Sequence, residues 1–227
     1  MFRCSFLAAV GLLLSANALT AETPNPSPAP AAAESAPPQE TMEDPQVGDH
    51  WTYEYRDDIT GDIKSTFTAT ITDISESEIS LRTNVIANSN YGYASYDHSW
   101  NRTINGNWRY SPNDGTGIRA PLAVGKTWSN KSNDSNTTTG AAIKRSVTSK
   151  VVAQESVTTR AGTFDTYKIE TSFTFQSSKD LTKKAQETWQ TWYAPSVDHW
   201  VKQTSTVRSD GRVRTKTTSE LVEYGRR

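Results

Sequence analysis

The sequence predicts an all-β protein: an antiparallel meander of about ten strands, curled into a barrel, a half-barrel or a sandwich. Three observations predict it. From residue 47 onward, apolar and polar residues alternate with a period of two through most segments. Thr, Ser, Val, Ile and aromatic residues fill those segments, while Gly, Asn, Asp and Pro separate them. Apolar spacing at i, i+3 and i+4, the mark of a helix, is nearly absent.

The first element is not part of that sheet. Arg3, the apolar run Phe6 to Leu14 and the small residues Ala16, Ala18 and Ala21 have the order of a secretory signal peptide. Residues 1–21 are assigned to it, with cleavage after Ala18 or Ala21. The run is too short to span a bilayer, which needs about 20 apolar residues, and no later stretch is apolar enough. The only cysteine is Cys4, inside the signal, so the mature chain has no disulfide, Cys ligand or lipid-bearing Cys. Residues 22–46 hold Pro24, Pro26, Pro28, Pro30, Pro37, Pro38 and Pro45 among Ala, Ser and Glu, and read as a disordered acidic linker. Residues 47–227 then form a single β domain. An exported chain of this kind is expected in a bacterial periplasm.

The strands follow in order. Trp51, Tyr53 and Tyr55 share one face of the first, Thr52 and Glu54 the other. A turn at 58–62 leads into a hairpin partner in which Ile63, Phe67, Ala69 and Ile71 alternate with Lys64, Thr66, Thr68 and Thr70. Ile79, Leu81, Thr83 and Val85 continue the meander, 91–100 is the next strand, and 106–110 sits beside a turn. Residues 111–119 and 129–140 are polar and turn-rich and read as loops. The stretch 143–158 is one long strand or two. The clearest strand is 164–176: Tyr167, Ile169, Thr171, Phe173 and Phe175 point one way, Lys168, Glu170, Ser172 and Thr174 the other. In 187–193 Trp189 and Tyr193 point inward, 194–198 turns, 200–208 returns, and 213–224 closes the sheet. Lys202, Arg208, Arg212, Arg214 and Lys216 make these last strands basic, as suits edge strands that must resist edge-to-edge pairing.

Three segments resemble a bacterial family of exported, β-rich envelope proteins classed as a domain of unknown function. They are Gly48-Asp49-His50-Trp51-Thr52-Tyr53, of the type G-D-x-W-x-Y; Glu155 to Glu170, around Ala161-Gly162-Thr163-Phe164; and Trp192-Tyr193-Ala194-Pro195 with Val201-Lys202, of the type W-Y-x-P. Members often carry Gly after that Pro, where this chain has Ser196-Val197-Asp198-His199. The resemblance implies a fold and a compartment, and no catalytic residues.

The search for chemistry leaves little. His50, His98 and His199 each follow an Asp, but neighbours on a strand face opposite ways and do not readily share a site. There is no H-x-H, H-E-x-x-H, G-x-S-x-G or phosphate-loop glycine pattern, so neither an enzyme nor a metal or other cofactor is expected. The net charge is −3 over residues 45–140 and +6 over 141–227, too small a basic excess for a nucleic-acid partner. The aromatic residues are the distinctive feature. Trp51, Tyr53, Phe67, Tyr167, Phe173, Trp189 and Tyr193 are inward by parity, either as core or as the wall of a site for a lipid or other amphipathic ligand. Trp192 has the opposite parity to Trp189, so it is covered on the far side or exposed. Exposed, it could join Tyr96 and Trp200 in a platform for a cell-wall or exported polysaccharide. Another envelope protein is the remaining class of partner.

Overall fold

The computed structural model describes residues 41–226 except 181, 183 and 210. The signal segment and residues 22–40 of the linker lie outside the described residues. Among the described residues, twelve strands close into an antiparallel barrel. They are β1 (His50–Asp57), β2 (Ile63–Ile74), β3 (Ile79–Val85), β4 (Asn90–Tyr96), β5 (Arg102–Asn105) and β6 (Trp108–Ser111), then β7 (Thr127–Asn136), β8 (Ala142–Thr159), β9 (Gly162–Ser177), β10 (Lys184–Ala194), β11 (His199–Ser209) and β12 (Arg212–Gly225). Each strand pairs with the next, and β12 pairs with β1 through Trp51–Tyr224, Tyr53–Leu221 and Tyr55–Ser219.

That last pairing removes every free edge. The basic residues of β11 and β12 therefore do not guard an edge, because β12 is hydrogen-bonded on both sides. Two strands exceed the alternation pattern. β5 is four residues long, too short to show a period. Most of β7, from Ser129 on, lies in the stretch expected to be a loop, because two of its inward positions are polar. Ser132 and Asp134 are both buried, the Ser132 hydroxyl donates to Asp134, and Asp134 receives the Arg145 guanidinium of β8 at 2.7 Å. A polar side chain can point inward when its partners do too.

The main core lies at one end of the barrel. Trp51, Ile71, Ile79, Val197, Val201 and Leu221 are all 1% exposed or less, and Tyr53, Leu81 and Trp100 pack with them. The Trp51 indole N–H donates to the Val197 carbonyl at 3.1 Å, which satisfies its one polar atom in the core. Val197 belongs to a 3₁₀ turn, Pro195–Val197, between β10 and β11. Met42, ahead of β1, is fully buried in the same core, and its backbone N–H donates to the Ser196 carbonyl at 2.7 Å. Trp128, Val151 and Ile169 form a second, smaller cluster.

Candidate functional site

Inside the barrel lies a cavity of about 210 Å³. Tyr53 of β1, Phe67 and Ala69 of β2 and Leu81 of β3 form one wall. Ile169 of β9, Trp189 and Tyr193 of β10 and Trp200 of β11 form the other. Small-molecule sites typically run from about 300 to 1,000 Å³, so this space fits a compact ligand. The lining is chiefly aromatic and aliphatic, with Thr83, Asn105, Thr171, Thr191 and Gln203 as scattered polar groups.

Hydrogen bonds set the rings in place. The Tyr53 hydroxyl donates to the Trp200 carbonyl at 2.8 Å and lies 2.8 Å from Nδ1 of His199. A phenol has one proton, and it must lie between those two oxygens. His199 therefore carries its hydrogen on Nδ1 and donates it to the Tyr53 oxygen, which leaves Nε2 as an acceptor. Burial pushes the His199 imidazole down to about 3 from an ordinary 6.5, and the nearby Arg102 charge acts in the same direction. The ring is thus neutral at physiological pH. It is packed against Trp51 at 4.7 Å and Trp100 at 5.0 Å between ring centres. Burial also raises the Tyr53 phenol well above its ordinary value.

Asp198, next in the chain, holds two more lining residues. One carboxylate oxygen accepts from the Trp100 indole at 3.0 Å and the other from the Tyr193 hydroxyl at 2.6 Å. Burial raises its carboxyl above the usual range, although both hydrogen bonds favour the ionised form. Trp100 and Asp198 have φ of 61° and 43°, in the left-handed region that non-glycine residues rarely enter. Such backbone costs about 1–3 kcal/mol per residue and persists where surrounding contacts fix it. Here that conformation takes Asp198 out of strand alternation, so Asp198 and His199, adjacent in sequence, both hold rings of one cavity. A register shift between Trp192 and Tyr193 in the β10–β11 pairing has a similar effect, and His199 and Trp200 both line the space.

A polar clasp closes one side. Asp97 accepts from the backbone N–H groups of Ser99 and Asn101, each at 2.9 Å, and from the Asn113 side chain at 3.1 Å. Gly117 N–H donates to the Asn101 side-chain oxygen at 2.8 Å. This ties the loop that contributes Thr116 and Ile118 to the segment that carries Trp100.

Of the seven residues expected to point inward, Tyr53, Phe67, Trp189 and Tyr193 line the cavity. Trp51 stands behind it, against His199 and Trp100. Phe173 is buried beneath Trp189 at 4.6 Å, and Tyr167 packs on the smaller cluster. The three residues expected on an exposed platform do not share a face. Tyr96 and Trp200 line the interior. Trp192 is 8% exposed on the opposite side of β10, its indole N–H donating to Glu155 at 2.6 Å and its ring flanked by the Lys168 and Lys202 ammonium groups. The long β8–β9 hairpin covers it: the far end of that hairpin reaches β1 through Arg160 and Glu54 at 2.9 Å and sets Phe164 against Tyr224. Sequence reasoning missed Trp100, Arg102, Asp198 and His199. The signal for Asp198 and His199 was the turn sequence after Pro195, which departs from the resembled family. Arg102, one charge in a short strand, gave none.

Comparison with known proteins agrees with the resemblance. Residues 114–212 match a family described as DUF3108-like, and two of the three motif segments fall inside that stretch. No curated protein matches the chain. Among solved structures, a lipoprotein candidate of Parabacteroides distasonis is similar over 83% of this chain and 100% of its own, with 16% identity and a TM-score of 0.56. An exported-protein candidate of Bacteroides fragilis with a YmcC-like fold covers the same shares at 14% identity and a TM-score of 0.52. Both similarities are of fold.

Proposed function

We propose that this chain is a non-enzymatic periplasmic protein that holds a small amphipathic ligand inside its barrel. The observation that carries the reading is the cavity itself. A dry core would be filled by side chains at close packing. Here about 210 Å³ is left open, between rings that Tyr53, Asp198 and His199 hold by hydrogen bonds at 2.6–3.0 Å. The N-terminal signal pattern supports export, as do the two structural neighbours described as a lipoprotein candidate and an exported-protein candidate. A barrel that spans a lipid bilayer carries its apolar band outside. In this one most of the buried apolar residues face in, and the outer positions mix exposed apolar residues (Ile63, Tyr91, Tyr93, Val213) with charged ones such as the Lys150–Glu170 pair across β8 and β9, with no continuous apolar band among the described residues. The polysaccharide reading loses support, since Trp192 is covered and Tyr96 and Trp200 face the interior.

The test uses the mature protein purified from a periplasm. Trp189, Trp100 and Trp200 line the cavity, so a ligand entering it changes their fluorescence. Titration with 1-octanol, a compact neutral amphiphile, is expected to give a saturable change, and native mass spectrometry to show a single added mass. A linear, non-saturating response with no added mass would refute the proposal.

A further inference from the structure

Within the cavity wall one group carries a full charge at neutral pH, and it is Arg102. Its guanidinium has five N–H donors. Only Nε–H has an acceptor, the Tyr96 hydroxyl, at a long 3.4 Å. The Tyr96 ring lies beneath the guanidinium at 5.5 Å and sets its position. Asp114 is the nearby carboxylate, but one of its oxygens already accepts from the Arg102 backbone N–H, the Thr116 N–H and the Thr116 hydroxyl. Its other oxygen is buried with no hydrogen bond. The terminal nitrogens of Arg102 thus have no protein acceptor among the described residues.

The same barrel shows what a neutralised interior arginine looks like. Arg145 meets Asp134 at 2.7 Å and lies between the rings of Tyr110 and Phe175 at 4.9 and 5.1 Å. Arg102 has the ring and a nearby carboxylate, Asp114, whose charge acts on it but to which its guanidinium makes no hydrogen bond. Arg102 is half-buried in the cavity wall, and a guanidinium presents two parallel N–H groups that match a carboxylate or a phosphate.

We propose that Arg102 anchors the head group of a small amphipathic anion, a carboxylate or a phosphate monoester, whose apolar tail lies against the aromatic wall formed by Phe67, Trp189 and Tyr193. This deepens the ligand-holding reading and rests on it.

Four probes of equal chain length separate the two ideas: octanoate, octyl phosphate, 1-octanol and octylamine, each titrated into the mature protein by tryptophan fluorescence and calorimetry. At least one anion should bind about tenfold or more tighter than octanol, the scale of a charge-assisted hydrogen bond, and octylamine should bind no tighter than octanol. Whichever anion shows the preference identifies the head group. Arg102→Gln should erase the preference and retain octanol binding, and Arg102→Lys should keep part of it. Octanol binding as tightly as both anions to the wild-type protein overturns the role of Arg102 and leaves the cavity reading intact. Failure of all four probes overturns the cavity reading itself.

Discussion

His199 couples protonation to stability. Its imidazole titrates at about 3 in the folded protein against an ordinary 6.5. Above pH 6.5 both states are neutral there and the group is indifferent to pH. As pH falls below that value the unfolded chain gains a proton that the folded chain refuses. Stability is then lost at roughly 1.4 kcal/mol per pH unit, down to the folded value near 3. Asp198 acts in the opposite sense, since its raised carboxyl takes up a proton more readily in the folded state and offsets part of the loss at the acid end. Urea unfolding between pH 7 and pH 4 should show the decline in the wild-type protein and a flatter profile in His199→Gln. Parallel profiles would mean that the ring is not held neutral by its surroundings.

At the scale of elements, the clasp between the Trp100 segment and the Thr116 loop depends on close backbone approach. A Cβ on Gly117 would collide with the Ser99 carbonyl and the Asn101 backbone nitrogen, neither of which can swing away. Gly61, in the β1–β2 turn, has φ of 81° and open space around it. Ala at Gly61 should cost about 1–2 kcal/mol, the strain of a left-handed residue. Ala at Gly117 should cost more, at the upper range of single substitutions of about 3 kcal/mol, and should disturb ligand binding as well. Denaturation curves for the two variants check the ranking, and equal losses would argue that the clasp yields easily. The same contrast shows what was legible beforehand. Strands with long alternation, such as β9 with Ile169, Thr171 and Phe173, read directly from the sequence. β7 did not, because Ser132 and Asp134 point inward to partners distant in sequence. The site was half legible for a related reason. Tyr53, Phe67, Trp189 and Tyr193 follow strand parity into the cavity, whereas Trp100 and Asp198 reach their places through left-handed backbone, and Arg102 sits in a strand too short to have a period.

For the whole molecule, the pairing of β1 with β12 makes the sheet continuous around its circumference. Removing residues 212–227 would free the edges of β1 and β11 together, remove Leu221 from the core and open it along Tyr53 and Val201. That variant should aggregate at concentrations where the full mature chain stays monodisperse, which light scattering will show; a soluble, monomeric product would mean that the sheet is stable when open. The closure also sets an order in time. The earliest strand to leave the ribosome or an export channel waits for the latest, since Trp51 finds Tyr224 and Tyr53 finds Leu221 only after nearly the whole chain has emerged. Until then the chain can assemble hairpins but has no sealed interior. On the ligand-holding reading proposed above, an emerging chain has nowhere to hold a guest, and loading would follow release.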